Sequence, residues 1–247
     1  MFIETALKNY VLEIVLRESQ SKEFNYIYST LITDYKKHTL GSSEYRKAIR
    51  KRFTLRDTVY GELTKNYSRG TQVVEHFYHK DSSVPIWAIF ETFTLGTFGS
   101  FVSCLNLSVR RQISLDLGLN QRYDSDAKLP HVIIFVIKEL RNAVAHNNVI
   151  FDARFRASKI RNQLIDSLAC DTNISKIDFK SIVDYLILII YILKNLKVPR
   201  TEMKRMINEF ERLSEALRLQ LPISIYSAIL PTDTRNKLKA LRTFVSI

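Results

Sequence analysis

The sequence predicts an all-α protein, and three observations support this. Its 247 residues include only 6 glycines and 5 prolines, fewer than a turn-rich β fold would need. Hydrophobic residues make up 46% of the chain, enough to fill a large core. Between residues 133 and 144, apolar side chains recur at spacings of three and four, the period of an amphipathic helix. No segment has a convincing strand pattern.

In the N-terminal half, helices are predicted where apolar periodicity runs between turn signals. The helix from residue 84 is expected to begin at Ser83 and Pro85, because serine caps helices and proline fits their first turn. The polar stretch Gly118–Lys128 is predicted to be a loop. The predicted helices of this half are 2–18, 20–37, 42–64, 84–106 and 107–117.

In the C-terminal half, Pro130 opens a helix in the same way, and Pro199, Pro222 and Pro231 separate later ones. The sequence of residues 172–179 is compatible with a short extended segment. The polar run 171–175 suggests a division into a domain at 1–170 and a helical extension at 171–247, packed on the same core. The predicted helices of this half are 130–147, 151–168, 178–195, 200–218 and 223–229.

The chain is strongly basic, with 37 lysines and arginines against 25 acidic residues and a formal charge of +12. This balance favours a polyanionic partner such as RNA, although each basic cluster also fits a plain solvated face. The clusters are Arg46–Arg52 with Arg56, Arg110–Arg111, Arg154 with Arg156, Lys159 and Arg161, Lys204–Arg205, and Arg235 with Lys237, Lys239 and Arg242. We expect the cluster of Arg154, Arg156, Lys159 and Arg161 to bind RNA, because it directly follows the motif described next.

A motif whose residue types suit catalysis ends the helix predicted at 130–147. It contains Arg141, Asn142 and His146. Histidine transfers protons near neutral pH, and the planar arginine side chain matches a phosphate. Asn142 and His146 are four residues apart and share a helix face, and the long arginine stem can swing to join them. Together these residues supply the minimum set of functional groups for cleaving a phosphodiester without a metal.

The same helix is apolar on two sides. The stripe expected to face the chain's own core consists of Ile133, Val136, Ile137, Leu140 and Val144. Phe135 lies on the other side, together with Asn142 and His146. A helix that is apolar all round is buried among other helices or against a second subunit. We therefore expect the motif at a two-fold interface.

The run Leu140–Asn147, LRNAVAHN, resembles the R-N-x-x-x-H signature of the HEPN superfamily, in the form found in Abi-like abortive-infection proteins. A second block, Pro85–Gly96, is similar to that family's P-x-W-x-x-x-E-x-x-x-x-G stretch and lies the expected distance upstream. Tyr78–His79 and the N-terminal run Ile3–Asn9 also fit the family. The resemblance covers roughly residues 1–160.

The resemblance implies a HEPN-like helical bundle, here with additional C-terminal helices, and metal-independent RNA cleavage. HEPN ribonucleases typically dimerise so that two motifs form one composite site. His146 is then the general base or acid for attack of the ribose 2′-OH, and Arg141 stabilises the scissile phosphate. Asn142 orients the histidine or the phosphate. Asn147 and Glu91 are supporting candidates, and no metal or cofactor is required.

Three further features of the sequence bear on the site. Glu91 is either a buried partner of Arg141, which we favour, or a satisfied core carboxylate. Trp87 is expected to pack in the core rather than to stack on a base. Glu75, His76 and His79 form only a weak metal-binding pattern.

The predicted function is an endoribonuclease of a prokaryotic abortive-infection, antiphage or toxin-type system. It is expected to act as a homodimer on RNA, with a small-RNA or protein antitoxin as a candidate partner. The main alternative is a non-catalytic HEPN module that holds a small RNA or regulates a partner. A third is a helical interaction protein with a coincidental motif.

The protein is expected to be cytoplasmic. Glu4 and Lys8 interrupt the apolar pattern of the N-terminus, unlike a secretory signal. The apolar run Val84–Val109 is long enough to cross a bilayer, but its small polar residues and its central glutamate argue against a membrane helix. Cys104 and Cys170 lie in apolar surroundings and are expected to be reduced core residues.

Overall fold

The computed structural model describes residues 2–150, 155 and 159–246. Over these residues, the secondary structure consists of thirteen α-helices and one short 3-10 helix, without a β-strand. The one extended pairing in the same ranges is an isolated antiparallel bridge between Glu23 and Pro85. The all-α prediction is confirmed.

The helices of the first half are α1 (Phe2–Ser19), α2 (Phe24–Thr30), the 3-10 helix Asp34–Lys37, α3 (Ser43–Ser68), α4 (Gln72–His79), α5 (Ile86–Thr92), α6 (Leu95–Cys104) and α7 (Leu107–Asp116). Those of the second half are α8 (Leu129–Ala145), α9 (Asn162–Thr172), α10 (Ile182–Asn195), α11 (Arg200–Gln220), α12 (Ile223–Ile229) and α13 (Thr234–Ser246).

The chain forms two compact units. The first consists of Met1–Asp116 with Asp126–Phe135, and the second of Leu117–Ser125 with Val136–Ile247. The division falls within α8, so this helix contributes residues to both units. The predicted division into a domain at 1–170 and an extension at 171–247 stays a prediction.

In the first unit, α1 packs on α7, and α3 packs on α6. One face of α1 makes its contacts, since its buried residues, including Leu7 and Val11, recur at helical spacing. An aromatic cluster fills the middle of this core, where the Phe90 ring lies 5.1 Å from both the Phe93 and the Phe101 rings.

A break between α5 and α6 shows that the prediction of a single helix at 84–106 is wrong. Phe93 is extended, and the Thr94 hydroxyl accepts a hydrogen bond of 3.1 Å from the backbone N–H of Thr97, which caps α6. From α1, Lys8 Nζ donates to the Phe93 carbonyl at 2.6 Å. The continuous apolar sequence concealed this threonine cap.

Gly99 lets α6 and the first half of α8 approach closely. A Cβ atom at this position would lie 2.9 Å from the Phe135 ring and 3.2 Å from the Ile134 side chain. Phe135 is therefore half-buried against its own chain.

In the second unit, α10 is the central helix, and α11 and α13 pack on it. Asp184 in the first turn of α10 is fully buried, and its Oδ1 lies 2.8 Å from Nζ of Lys237 in α13. Its Oδ2 accepts hydrogen bonds of 3.0 and 2.9 Å from the backbone N–H groups of Asp178 and Phe179. This buried pair joins α13 to α10.

Several predicted boundaries differ from the structure. Neither α4 nor α13 is predicted from the sequence, whereas α12 lies where it is predicted and the loop at 118–128 contains no helix. The helix predicted at 151–168 falls partly outside the described residues, and the described helix begins at Asn162. The helix predicted from 178 begins at Ile182, and residues 173–179 form no strand.

None of the helices in the described parts of the chain combines the length and apolar character needed to cross a membrane. Cys104 is buried, as predicted, and burial raises the pKa of its thiol. The corresponding prediction for Cys170 is wrong, because this residue lies on the exposed side of α9.

Candidate active site

The motif lies where α8 ends. Arg141 and Asn142 belong to the C-terminal part of the helix, which ends at Ala145. The backbone N–H of His146 donates to the Asn142 carbonyl at 2.9 Å, so the histidine is still held by the helix. His146 is thus the C-cap residue, one helical turn beyond Asn142 and on the same face.

Asn147 has an identifiable structural role in this end. It adopts the left-handed conformation, with a φ of 54°, which asparagine tolerates better than most residues. Its N–H donates to the Val144 carbonyl at 3.2 Å, and the N–H of Asn148 donates to the Ala143 carbonyl at 2.8 Å. These two bonds form a Schellman motif, which satisfies the last helical carbonyls. The prediction that Asn147 supports the chemistry itself stays a prediction.

The side chains of the motif are only partly assembled. Nη1 of Arg141 donates to Oδ1 of Asn142 at 3.1 Å, so the long arginine stem reaches its neighbour as expected. The His146 side chain is exposed, and within residues 2–150, 155 and 159–246 its imidazole forms no hydrogen bond or ion pair. The structure therefore joins arginine to asparagine and leaves the histidine available to another molecule.

The apolar surroundings of the motif differ from the prediction. Ile133, Val136 and Ile137 are buried as expected, but the place of Val144 in the buried row is taken by Ala143. Val144 is 59% exposed, because it lies where the end of α8 leaves the core. The Phe135 ring, placed by sequence on the face of the motif, packs on α6.

Glu91 is exposed on α5, so both interpretations that bury it are wrong. It belongs to the first unit, whereas Arg141 belongs to the second, and its supporting role stays a prediction. The N-terminal block of the resemblance has a clearer role. Glu4 forms an ion pair of 3.2 Å with Lys8, the residue that donates to the carbonyl of Phe93 at the end of α5.

Comparison with known families decides the affiliation of the chain. The sequence profile of the family described as Abi-like protein matches residues 1–152, which is more than half of the chain and includes the whole motif. The chain belongs to the Abi-like protein family. No curated protein and no solved structure gives a significant match. Membership of the HEPN superfamily therefore stays a prediction.

In this Abi-like protein, the matched range ends before the cations that follow the motif. Arg154 and Arg156 lie outside the described residues. Lys159 is exposed, whereas Arg161 is half-buried and directly precedes α9. The assignment of these four residues to RNA binding stays a prediction.

Aromatic residues of the Abi-like protein are more exposed than the sequence suggested. Trp87 is 39% exposed, so the prediction that it packs in the core is wrong; its ring lies 5.8 Å from that of Phe77. Three further exposed rings lie on α3 and were not predicted from the sequence; they are those of Phe53, Tyr60 and Tyr67. Their seven-residue spacing was the available signal.

The weak metal pattern is not assembled. Among the described residues of the Abi-like protein, no three His, Cys, Asp or Glu side chains lie close enough to hold a metal ion. Nε2 of His79 lies 3.4 Å from the Tyr67 hydroxyl, and the His76 ring packs edge-on against Phe77 at 5.3 Å.

Proposed function

We propose that this Abi-like protein is a metal-independent HEPN endoribonuclease of a prokaryotic abortive-infection, antiphage or toxin-type system. The observation that carries the proposal is the exposed imidazole of His146, held by a helix cap one turn beyond the bonded Arg141–Asn142 pair. A proton-transfer group and a phosphate-binding group at one helix end suit attack of a ribose 2′-OH on the adjacent phosphate.

In this reaction the 2′-oxygen forms a bond to phosphorus and the bond from phosphorus to the 5′-oxygen breaks. The products are a 2′,3′-cyclic phosphate and a 5′-OH. His146 accepts the 2′-OH proton or donates one to the leaving oxygen, while the guanidinium of Arg141 stabilises the charge on the phosphate. Because Asn142 Oδ1 is occupied by Arg141, the amide N–H groups of Asn142 are the ones left to bind the phosphate.

One histidine cannot act as base and acid in the same step, so the proposal includes a homodimer with a composite site. Val144 and Val149 flank the motif and are 59% and 58% exposed, an apolar surface that suits coverage by a second copy. Val144→Asp should dissociate the dimer in sedimentation velocity experiments and abolish cleavage. Leu213→Asp, on an exposed apolar position of α11, is the matched control. A monomeric wild-type protein with full activity would contradict the composite site.

The chemistry is tested with labelled RNA in the presence of EDTA. His146→Ala should lower the cleavage rate by roughly 10²–10⁴, as for other lost acid–base groups. Arg141→Lys should also be slow, because lysine keeps the charge but loses the planar fork. His76→Ala, an exposed histidine outside the motif, is the control and should keep full activity. Strict metal dependence, or full activity of His146→Ala, overturns the proposal.

We also propose that the cations after the motif guide the RNA backbone; they are Arg154, Arg156, Lys159 and Arg161. Phosphate contacts weaken as salt rises, so neutralising two of these cations should reduce affinity for all sequences and flatten the salt dependence. Filter binding at two salt concentrations measures both effects. RNA bound tightly but never cleaved would instead support the alternative, a module that holds a small RNA or regulates a partner.

A further inference from the structure

Helix α3 presents three aromatic rings that the fold leaves partly exposed. Phe53, Tyr60 and Tyr67 are spaced by seven residues, which places them on one face with a drift of only about 20° per step. Their exposed fractions are 45%, 41% and 43%. Three large rings exposed on one face of a helix are unusual for a surface that meets only water.

Two of these rings are held in place by neighbours. The Tyr60 hydroxyl donates to Asn25 Oδ1 at 2.8 Å. The Tyr67 ring packs edge-on against Tyr78, with 5.5 Å between the ring centroids. Rings that are fixed before a ligand arrives lose little side-chain entropy when they bind it.

The N-terminal half of α3 is positively charged, and three of its arginines lie on or beside this face. Six cations and a single carboxylate lie between Ser43 and Arg56. Arg46 lies seven residues before Phe53 and continues the aromatic row, while Arg50 and Arg56 flank it; all three arginines are exposed. The guanidinium of Arg56 lies 5.4 Å from the centre of the Phe53 ring.

The ion pairing of these arginines differs from that on another basic helix. Within the described parts of the chain, no carboxylate forms an ion pair with Arg46 or Arg50, and the pair of Arg56 is a 3.7 Å contact with the exposed Asp57. The basic helix α11 is different, because each of three arginines there pairs at 2.6–2.7 Å with the glutamate three residues earlier; these are Arg205, Arg212 and Arg218. Charge on α3 is thus available to an anion, whereas charge on α11 is largely neutralised locally.

A shallow cavity of about 450 Å³ joins the two kinds of side chain. Its lining includes Tyr45, Arg46, Ile49, Arg50 and Phe53, so an aromatic wall stands beside two guanidinium groups. Its volume is in the range of sites that hold small ligands or parts of larger ones.

We propose that this face of α3 binds single-stranded nucleic acid, with phosphates on Arg46 and Arg50 and unpaired bases on Phe53, Tyr60 and Tyr67. Cationic grooves with aromatic platforms bind single strands in this way, because every base offers a ring face for stacking. Successive rings are roughly 10 Å apart along the helix, too far for neighbouring bases of a continuous stack. An extended strand therefore fits this surface, and a duplex with its bases paired does not. This binding does not require the motif on α8 to be catalytic.

The experiment is fluorescence anisotropy with the full chain and labelled oligonucleotides that span the roughly 30 Å from Arg46 to Tyr67. A 2′-O-methyl RNA strand is the main probe, because its blocked 2′-oxygen cannot attack the phosphate and cleavage cannot interfere. A DNA strand of the same sequence shows whether the sugar contributes. A duplex of that sequence completes the set.

Phe53→Leu keeps an apolar side chain but removes the ring, and should weaken binding roughly five- to hundredfold. The double variant Arg46→Gln and Arg50→Gln should weaken binding. It should also reduce the magnitude of the slope of log binding constant against log salt concentration by about two. Tyr26→Leu on α2 and Arg212→Gln on α11 are matched controls and should bind like the wild type.

Binding of either single strand that depends on Phe53 supports the proposal, even when the protein cleaves no RNA. Wild-type affinity in Phe53→Leu overturns it, as does equal binding of the duplex. A change in the sedimentation coefficient of the nucleic-acid-free protein in the same variants also overturns it, because the face would then be an interface between copies of the chain.

Discussion

The buried pair between Asp184 and Lys237 gives a prediction that follows directly from the structure. Lys237→Met keeps the aliphatic stem but removes the ammonium group that lies 2.8 Å from Oδ1 of the carboxylate. Both side chains are almost inaccessible to water, so the variant leaves a buried charge without its counterion. Loss of one member of such a pair typically costs about 3–5 kcal/mol.

The structure sets the expected loss at the lower end of that range. Oδ2 of Asp184 keeps its hydrogen bonds from the backbone N–H groups of Asp178 and Phe179. We therefore expect the free energy of unfolding to fall by about 3 kcal/mol, or the Tm by roughly 6–12 °C. Far-UV circular dichroism in urea is the suitable assay. Tryptophan fluorescence would report on the first unit, where the single tryptophan, Trp87, lies, whereas the pair lies in the second.

The effect should depend on pH. Burial raises the pKa of the Asp184 carboxyl, and the hydrogen bonds from Lys237 and the backbone oppose that rise. Without the ammonium group, the pKa rises further above the value of about 3.9 in the unfolded chain. A raised carboxyl pKa stabilises the folded state below the unfolded pKa, and this is lost as pH rises through the folded pKa. The deficit of Lys237→Met should therefore widen as pH increases from about 4 to neutrality.

Two further variants complete this test. Lys239→Met changes an exposed lysine on the same helix and should stay within about 0.5 kcal/mol of the wild type. Adding Asp184→Asn to Lys237→Met should recover more than half of the loss, because the amide oxygen still accepts the backbone N–H groups without a charge. The reasoning is refuted if Lys237→Met unfolds like the wild type, or if the double variant is no more stable than the single one.

Three other outcomes are expected. Gly99→Ala should cost about 1–3 kcal/mol in urea unfolding, because its Cβ would lie 2.9 Å from the Phe135 ring; an unchanged midpoint would show that α8 can move away. If Asn147 acts through its left-handed backbone, Asn147→Gly should keep both stability and RNA cleavage, whereas Asn147→Val should lower the free energy of unfolding by about 1–2 kcal/mol. Loss of cleavage in a stable glycine variant would instead assign chemistry to the side-chain amide. Iodoacetamide should modify the exposed Cys170 in the native protein and Cys104 only after unfolding, as mass spectrometry of the peptides can show; rapid native labelling of Cys104 would contradict its burial.

The helical class, helices such as α8 and α10, and the position of the motif at a helix end could be predicted because they depend on local patterns. Apolar periodicity shows α8 and α10, and a polar run shows the loop at 118–128. The break between α5 and α6 could not be seen in the same way. It depends on a cap at Thr94 and on a hydrogen bond from Lys8, a residue 85 positions earlier than Phe93.

Helix α13 was missed for a related reason. Its charged residues were counted among the basic clusters, and no helix was predicted there, although Leu238, Leu241 and Val245 recur at helical spacing and are buried. Lys237, counted with that cluster, is a core residue, because a carboxylate distant in sequence neutralises it. The exposure of Glu91 and Val144 was likewise beyond a pattern-based prediction, since periodicity identifies a face of a helix but not where that face leaves the core.

The capped end of α8 has a consequence for the origin of the motif's geometry. Three backbone hydrogen bonds fix the chain from Asn142 to Asn148, and none of them involves a later residue. The backbone of His146 is therefore positioned by α8 itself, so its placement relative to Arg141 and Asn142 is a property of the helix end.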